Sequence, residues 1–375
     1  MEEERNLAHI EIIEKIEPIA DADSIEKISL LGWHIVAKKD EFNVGDKVVY
    51  VEVDSVMPKK PEYEFLESRK YRVRTIKLRK QISQGLVLPL SVLPNNKDYK
   101  VGEDVTDIIG ITKYLTPSEQ EEIDQLENEL RNSKNIVRKF LMKYKWFRKY
   151  FSPKKKAGSF PSHISKTDEE RIQNLSKILN EFADYDVYVT EKVDYQSSTF
   201  TGKLQSRFGG FIGKILPKKY NFIVCSRNGV TNDKNGLYWK IAEKYDIEQI
   251  LSKNTNISIQ GEQGNTKVQG NKYGITGIRL WVFNVINHKD KYLYDYDEMK
   301  EFCDKNGFET VPLVKKCKLK ELGTTVDEII EFSKGKSLIN PKIEREGVVI
   351  RCVQNGKKIF SFKAINPDFL LKHEN

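Results

Sequence analysis

Short apolar segments, closely spaced and separated by turn residues, fill the first 112 residues of the chain. Ile, Val, Leu and Tyr recur within each segment in partial alternation, a pattern typical of β-strands. The breaks carry turn-forming residues at 20–23, at 43–46, and at Pro58 and Pro61. Several short strands in so short a stretch predict a small barrel, and the OB type is a common barrel of this size that binds nucleic acid. The predicted strands lie in HIEIIEKIEPI, KISLLGWHIVAKK, DKVVYVEVDSV and YRVRTIKLR.

Residues 113–158 differ from the barrel segment in composition. A helix is predicted to begin at 116–119, where Thr caps, Pro takes the first helical position and Glu closes a capping box. Six acidic residues follow, and then a stretch with eleven Lys or Arg, no acidic residue and several aromatics. Cations that bind phosphates and aromatics that stack on bases favour nucleic-acid contact. A helix that packs its aromatics between two domains and solvates its charges fits the same composition equally well.

Residues 159–375 mix strands and helices without strict alternation, which favours a mainly antiparallel α+β domain. The chain is therefore predicted to comprise an OB-fold domain over 1–112, a basic helical linker or insertion over 113–158, and an α+β domain over 159–375. The predicted strands of the last domain are VYVTEKV, STFTGKL, NFIVCSR, ISIQGE, LWVFNVI, GVVIR and IFSFKAI. The predicted helices are KTDEERIQNLSKILNEF, WKIAEKYDIEQIL, DEMKEFCDKNG and VDEIIEFSKG.

Composition narrows the classes of function. Hydrophobic residues make up 39% and charged residues 31% of the chain, the balance of a soluble globular protein. No apolar run reaches 18 residues and the acidic N-terminus lacks a signal-peptide core, so no membrane association is expected. The four cysteines show no CxxC spacing and the five histidines no metal-binding spacing, which predicts a reducing, intracellular location in cytoplasm or nucleus. A net charge of +8 favours an anionic partner.

The stretch from Glu191 to Asp194 carries the chemistry. A predicted strand ends in Glu191-Lys192-Val193-Asp194 and is followed by a small polar loop. A lysine held beside carboxylates at a strand end is more often half of an ion pair than a nucleophile. The residues downstream decide between the two interpretations.

Those residues resemble the covalent nucleotidyltransferases, the group that contains RNA ligases, DNA ligases and mRNA capping enzymes. Glu191-Lys192-Val193-Asp194 looks like motif I of that group, KxDG. The later motifs follow in the expected order over about 170 residues, and five ordered matches are far more specific than any one of them. The matching residues are Glu262 for motif III, Phe283 for motif IIIa, Glu346 for motif IV and Lys363 for motif V.

One branch of the group matches more of the chain. The N-terminal pattern KIEPIADADSIEKISLLGWHIV with FNVGDKVVYVEVDSVMP looks like the OB domain that precedes the catalytic domain in RNA ligases of family five. FPSHISKTDEERIQNL before motif I and SRNGVTND after it also look like that branch. The resemblance covers nearly the whole chain, with no match claimed for 115–158 and 203–219. DNA ligases and capping enzymes carry a C-terminal OB domain, and the twelve residues after Lys363 leave no room for one.

The resemblance implies a catalytic role for Lys192 and Lys363 and a metal-binding role for Glu346. Lys192 would attack the α-phosphate of ATP, which requires a neutral amine, and nearby cations would disfavour its charge. Lys363 would neutralise the charge that builds on the α-phosphate. Glu346 would bind a hydrated divalent cation, Mg²⁺ or Mn²⁺.

The resemblance also implies a set of nucleotide-binding residues. Phe283 would stack on the adenine, and Glu262 would accept from a ribose hydroxyl. Asp194 would lie near the sugar or the water shell of the metal, and Arg227 would contact the nucleotide or the phosphate of an RNA end. Glu191, directly before the lysine, and Lys363 belong to the same set.

Each assignment has a structural alternative. From periodicity alone Phe283 is an ordinary core residue of its strand. Glu262 and Glu346 stand beside glycines and fit turn carboxylates, and Arg227-Asn228-Gly229 fits a hairpin turn. Lys363 fits a surface lysine.

The function implied is an ATP-dependent RNA ligase, which forms a lysyl-AMP, passes AMP to a 5′-phosphate RNA end and joins that end to a 3′-hydroxyl, as in RNA repair. A nicked duplex is one form of such a substrate, and we expect a monomer. Two departures favour a rival, a non-catalytic RNA-binding protein with a degenerate ligase domain. Tyr195 stands where motif I has glycine, and Ser361 stands where motif V often has a first lysine. A capping enzyme that uses GTP is a third hypothesis, which the short segment after Lys363 disfavours.

Overall fold

The computed structural model describes residues 6–94, 97–115, 160–166, 169–205, 219–227, 229–266 and 268–373. The chain divides into two compact units, one comprising residues 1–127 with 367–375 and the other comprising residues 128–366. The C-terminal segment thus belongs with the N-terminal unit. The predicted helical segment lies outside the described residues, apart from 113–115, and its role stays a prediction.

The N-terminal unit is built from short antiparallel strands, as the alternating segments predicted. Its sheets have the strand orders β1-β5-β9, β2-β3-β4, β7-β8 and β10-β6 in the numbering that follows. The strands are β1 Ala8–Ile12, β2 Lys15–Pro18, β3 Ile25–Leu30, β4 Trp33–Lys38, β5 Lys47–Val51, β6 Ser55–Val56, β7 Thr75–Leu78, β8 Gln81–Gln84, β9 Leu86–Pro89 and β10 Thr112–Lys113. The helical elements are the 3₁₀ helices Pro61–Arg69 and Leu90–Val92 and helix α1 Thr106–Ile109.

Strand β5 lies at the centre of this unit. It pairs with β1 on one side and with β9 on the other, and four of its five residues are buried. Because successive side chains of a strand point to opposite faces, Val49 and Tyr50 enter two different apolar clusters. The first cluster contains Tyr63 and Leu66 of the long 3₁₀ helix, and the second contains Trp33.

Two antiparallel sheets form the second unit, so the predicted mainly antiparallel α+β class is confirmed. The strands are β11 Asp186–Glu191, β12 Gln196–Gln205, β13 Lys219–Ser226, β14 Ile257–Gly264, β15 Arg279–Asn287, β16 Tyr292–Leu293, β17 Glu309–Thr310, β18 Leu313–Lys318, β19 Gly347–Gln354 and β20 Lys357–Ile365. The α-helices are α2 Ile178–Glu181, α3 Leu237–Lys244, α4 Ile247–Lys253, α5 Tyr296–Asn306 and α6 Val326–Ser333, and helix α7 Pro367–His373 belongs with the other unit. Three 3₁₀ helices cover Ile172–Leu175, Val268–Asn271 and Leu319–Glu321.

The first sheet has the order β18-β11-β19-β20, and the second has the order β13-β12-β14-β15-β16, with β17 pairing β15 in parallel. One face of the first sheet packs its apolar residues against α6 and the segment before β11. One face of the second sheet packs against α3, α4 and α5. The remaining face of each sheet carries the polar and charged side chains of the candidate site.

Local sequence explains where the longer helices begin and end. Asp295 and Thr325 close capping boxes with Glu298 and Glu328 at the starts of α5 and α6. Gly307 ends α5 in the left-handed conformation. The helix predicted over 166–182 differs from the structure, which has a 3₁₀ turn and the four residues of α2 in the described part of that segment. The segment from Glu169 is instead held extended by pairing with β20, and tertiary contacts override its helix propensity.

Within the described part of the chain, no helix is long and apolar enough to span a membrane. All four cysteines are free thiols, and three of them are buried.

Candidate active site

Lys192 lies one residue beyond the end of β11. Its backbone N–H donates to the carbonyl of Gly347 at 3.0 Å, which fixes the lysine beside the first residue of β19. Its Nζ donates to both carboxylate oxygens of Glu346, at 2.8 and 2.7 Å. A Cβ at residue 347 would lie 2.2 Å from the carbonyl oxygen of Ala364, so only glycine lets β19 and β20 approach this closely beside the pair.

The charge on Lys192 is stabilised in this arrangement. Burial lowers the pKa of the amine, but the negative charges of Glu346 and Asp194 outweigh burial, and the net shift is upward. The neighbouring carboxylates therefore hold Lys192 as an ammonium. The expected effect of Lys363 and of a bound metal on this charge stays a prediction.

Glu262 on β14 faces the same site. Burial raises the pKa of this carboxyl to about 8, against the opposing effect of Lys192. Its Oε2 is buried and has no hydrogen-bond partner among the described residues. A buried polar atom without a partner is costly, so this oxygen is a candidate acceptor for a bound molecule.

Asp194 is held by two residues from the loop after β14. Lys272 forms an ion pair with its carboxylate, and the backbone N–H of Asp194 donates to the Tyr273 hydroxyl at 2.9 Å. The side chains of Asp194 and Lys272 are each about four-fifths buried, so the pair is only partly screened by solvent.

Glu191 is the last residue of β11 and its side chain is buried. Its Oε2 accepts from the backbone N–H of Leu338 at 2.6 Å, and burial raises the pKa of the carboxyl. Its Oε1 is buried with no hydrogen-bond partner among the described residues. Glu191, like Glu262, thus offers a buried acceptor.

Phe283 of β15 faces the first sheet. Its ring centroid lies 5.6 Å from the guanidinium of Arg351 on β19, and its carbonyl accepts from Arg351 Nη1 at 2.9 Å. Val349 lies two residues before Arg351 and on the same face of β19, directly across from Lys363 on β20. An aromatic ring and a valine thus line the space between the two sheets.

Lys363 and Arg227 complete the set of predicted residues. The positive charge of Lys363 acts on Glu346, and its backbone N–H donates to the Glu170 carbonyl at 2.8 Å. Arg227 is exposed directly after β13, and its charge acts on Glu262. Ser226 N–H donates to Gly229 O at 2.8 Å, so Arg227 also stands in a tight turn, as its structural alternative predicted.

Comparison with known proteins agrees with this geometry. An OB-fold domain model matches residues 7–90, and an RNA ligase model matches residues 185–365. A Naegleria gruberi RNA ligase variant solved with AMP and Mn is 30% identical, with 99% of each chain covered and a TM-score of 0.76. A second variant, solved with ATP and Mn, is 29% identical over 99% of this chain and 100% of its own, with a TM-score of 0.76. The chain belongs to the RNA ligase family.

A third structure, the Naegleria gruberi RNA ligase with PPi, is 31% identical to this RNA ligase over 99% of each chain, with a TM-score of 0.76. No curated protein matches the chain. The predictions of an N-terminal OB domain, of the ligase-type fold and of the family are therefore confirmed.

Tyr195, the departure from motif I, is accommodated in this RNA ligase without backbone strain. It is absent from the residues with positive φ, so the chain here does not need glycine. Its ring stacks on Trp281 with a centroid distance of 5.7 Å and an interplanar angle of 6°, and packs against Tyr273. Its hydroxyl donates to Asn271 at 3.2 Å. Tyr195 thus stabilises the loop that supplies Lys272 and Tyr273.

Sequence reasoning missed four residues of the site. Lys272 and Tyr273 carry no local signal, since nothing in their spacing relates them to Asp194. Arg351 had a signal, because a lone arginine inside the apolar run GVVIRCV predicts a buried and paired cation. Its partner Glu169 lies 182 residues away and had none.

Proposed function

We propose that this RNA ligase seals RNA 3′-hydroxyl and 5′-phosphate ends with ATP, through a covalent AMP on Lys192. The Nζ lone pair of Lys192 attacks the α-phosphorus, the N–P bond forms, and the bond to pyrophosphate breaks. An oxygen of the RNA 5′-phosphate then displaces Lys192 from the AMP. The RNA 3′-hydroxyl finally attacks the activated phosphate and releases AMP. The observation that carries the proposal is the partly buried pair between Lys192 Nζ and both oxygens of Glu346.

The first step requires Lys192 to lose its proton. Glu346 holds the ammonium at 2.7 Å, so a cation that draws the carboxylate away frees the amine. Lys363 is a side-chain cation suited to attract the Glu346 carboxylate, since its positive charge already acts on Glu346. As the α-phosphate gains charge, Lys363 is placed to stabilise it.

Four groups would hold the nucleotide. Glu262 Oε2 is positioned to accept from a ribose hydroxyl, and Glu191 Oε1 from the amino group of adenine. Phe283 offers an aromatic face for the flat base, on the same side of the cleft as Glu262. Arg227, exposed and acting on Glu262, is suited to a phosphate.

Mg²⁺ or Mn²⁺ fits the donors present, since Glu346 offers two hard carboxylate oxygens beside the place for the α-phosphate. No group of three or more His, Cys, Asp or Glu among the described residues is arranged to hold an ion. A cation bound by Glu346 would keep water and phosphate oxygens in its shell, as Mg²⁺ commonly does. When bound, it would supply charge neutralisation at the phosphates.

The rival hypothesis, a degenerate RNA-binding domain, rests on Tyr195 and Ser361. Tyr195 takes part in an aromatic cluster and leaves Lys192 and Glu346 in contact. Ser361 lies in a network of hydrogen bonds and not in an empty site. Both observations favour a working ligase.

Labelling the protein with α-³²P-ATP tests the first step. We expect label to stay on the denatured wild-type protein in Mg²⁺ or Mn²⁺ and to be absent with α-³²P-GTP or in Lys192→Ala. Lys253→Ala, an exposed lysine of α4, is the matched control and should label normally. Absence of label from the wild-type protein under both metals would favour the degenerate hypothesis.

Ligation of defined RNAs tests the substrate. We propose RNA ends with a 3′-hydroxyl and a 5′-phosphate as the substrate, with a nicked duplex as one form of it. The assay compares a nicked duplex with single strands. It also compares 5′-phosphate with 5′-hydroxyl ends and 3′-hydroxyl with 3′-phosphate ends. Sealing should require a 5′-phosphate and a 3′-hydroxyl. Joining of 5′-hydroxyl ends would contradict the proposed route. We further propose a monomer in a reducing compartment, which light scattering and cell imaging would test.

A further inference from the structure

Ser361 lies on the face of β20 that carries Lys363, since residues two apart in a strand point the same way. It stands at the position where, by the resemblance, motif V often has its first lysine. Its hydroxyl donates to the carboxylate of Glu169. The position of the motif lysine is thus occupied by the Ser361 hydroxyl, which is hydrogen-bonded to the Glu169 carboxylate.

Glu169 is itself paired with a buried cation. Its Oε1 accepts from Arg351 Nε at 3.0 Å and from Nη2 at 2.9 Å. The side chains of Glu169 and Arg351 are only 11% and 5% exposed, so little solvent screens the pair. Lys358 reaches Glu169 at 3.9 Å from an exposed position and adds little.

Arg351 is in turn attached to the proposed adenine platform. Its Nη1 donates to the Phe283 carbonyl at 2.9 Å, and its guanidinium lies 5.6 Å from the ring centroid. It pairs in register with Ser361 across β19 and β20. The three residues Glu169, Arg351 and Ser361, the Glu169 network, therefore join β20 to the strand that carries Phe283.

The same segment also fixes the lysine of motif V. The backbone carbonyl of Glu170, next to Glu169, accepts from the backbone N–H of Lys363 at 2.8 Å. Arg171 pairs with Lys363 through its backbone in an isolated parallel β-bridge. Glu169 thus anchors a segment that contacts Lys363 through its backbone and Phe283 through Arg351. A direct role of Arg351 in phosphate binding is disfavoured, because Nε, Nη1 and Nη2 all donate to protein oxygens.

We infer that Glu169 and Arg351 are positioning residues of the ATP site. They hold in place Phe283 and strand β20, which carries Lys363. Their partner Ser361 stands where the family motif often has a lysine. The inference rests on the proposed role of Phe283 in binding adenine. Removing the charge of Glu169 leaves the buried guanidinium of Arg351 without its counter-charge, so we expect the guanidinium to shift and to loosen its contacts with Phe283. We expect the loss of positioning to weaken ATP binding more than RNA binding.

The test compares KM for ATP in Lys192 labelling among wild type, Glu169→Gln, Arg351→Lys and Glu170→Gln. We expect KM to rise about tenfold in the first two variants, the size of one lost charge-assisted hydrogen bond. Glu170→Gln is the matched control, since the Glu170 carboxylate is exposed and accepts from Asn174 Nδ2 and from the Arg171 backbone N–H, and its KM should not change. Ser361→Ala, which keeps the Glu169–Arg351 pair, should raise KM by about twofold to threefold and gives an outcome if the other variants fail to fold.

A double-mutant cycle with Phe283→Leu separates positioning from general stability. If Glu169 acts through Phe283, Glu169→Gln in the Phe283→Leu background should raise KM by less than about twofold. If Phe283→Leu raises KM while Glu169→Gln, Arg351→Lys and Ser361→Ala do not, the inference is overturned and the proposed function stands. An unchanged KM in Phe283→Leu would refute both the role of Phe283 and the inference.

Discussion

The ring of Tyr195 occupies the space that a side chain on Gly264 would fill. A Cβ on Gly264 would lie 2.7 Å from two ring carbons of Tyr195. The two residues come from β14 and from the loop that precedes β12, and they place a flat aromatic ring directly over the backbone. A tyrosine is tolerated after motif I in this chain because a glycine on the neighbouring strand leaves room for it.

Gly264→Ala should therefore destabilise the protein, because the new Cβ overlaps the Tyr195 ring. Tyr195→Gly, added to Gly264→Ala, should relieve that overlap. Each single variant loses packing, the first by overlap and the second by an aromatic-sized cavity. The double variant should be more stable than the sum of the single effects predicts, with a coupling of about 1–3 kcal/mol in urea unfolding. Additive effects would show that the two residues do not compete for one space.

Glu262 should make stability fall as pH rises. Burial raises its pKa from 4.5 to about 8, so the folded protein binds this proton more tightly than the unfolded chain does. The stabilisation is complete below the unfolded pKa and is lost as pH rises through about 8. Glu262→Gln should thus gain Tm relative to wild type between pH 5 and about 8.5, by about 2–4 °C for each kcal/mol. The exposed control Glu248→Gln should show a constant offset, and a constant offset for Glu262→Gln as well would contradict the assignment.

His9 should show the pH dependence of a buried cation in the other unit. Burial lowers its pKa, but hydrogen bonds to Glu11 and Glu52 outweigh burial and raise it to about 9. Its stabilisation is full below about 6.5 and is lost as pH rises through about 9. Hydrogen exchange of peptides from β1 and β5 should therefore be faster in His9→Gln than in wild type at pH 6, with the gap closing near pH 10. A gap independent of pH would exclude the charged His9.

The fold class was predictable because each element was locally consistent. Alternating apolar segments with turn residues between them predicted the barrel, and mixed strands and helices predicted the antiparallel domain. Ordered motifs predicted Lys192, Glu262 and Glu346 together, and the structure places their charges within reach of one another. Which carboxylate bonds Lys192 was not predictable, because it depends on the register of β11 against β19.

Partners brought together by tertiary packing gave no sequence signal. Lys272 reaches Asp194 across 78 residues, and Glu169 reaches Arg351 across 182. A single sequence contains the two residues of each pair but not the fold that joins them. The absence of a lysine at residue 361 was evident from the sequence. The hydrogen bonds of the Glu169 network at that position were not.

Glu191→Gln should weaken the preference for ATP over GTP. The Glu191 Oε1 is a buried acceptor, which suits the amino group of adenine and repels the carbonyl oxygen at the same position of guanine. Glutamine carries an NH₂ that donates to that carbonyl, so the discrimination between the bases should fall by about tenfold or more. The measurement is kcat/KM for Lys192 labelling with each nucleotide, and Glu170→Gln should leave the ratio unchanged. An unchanged ratio in Glu191→Gln would show that the buried acceptor does not contact the base, and would limit Glu191 to holding the Leu338 backbone.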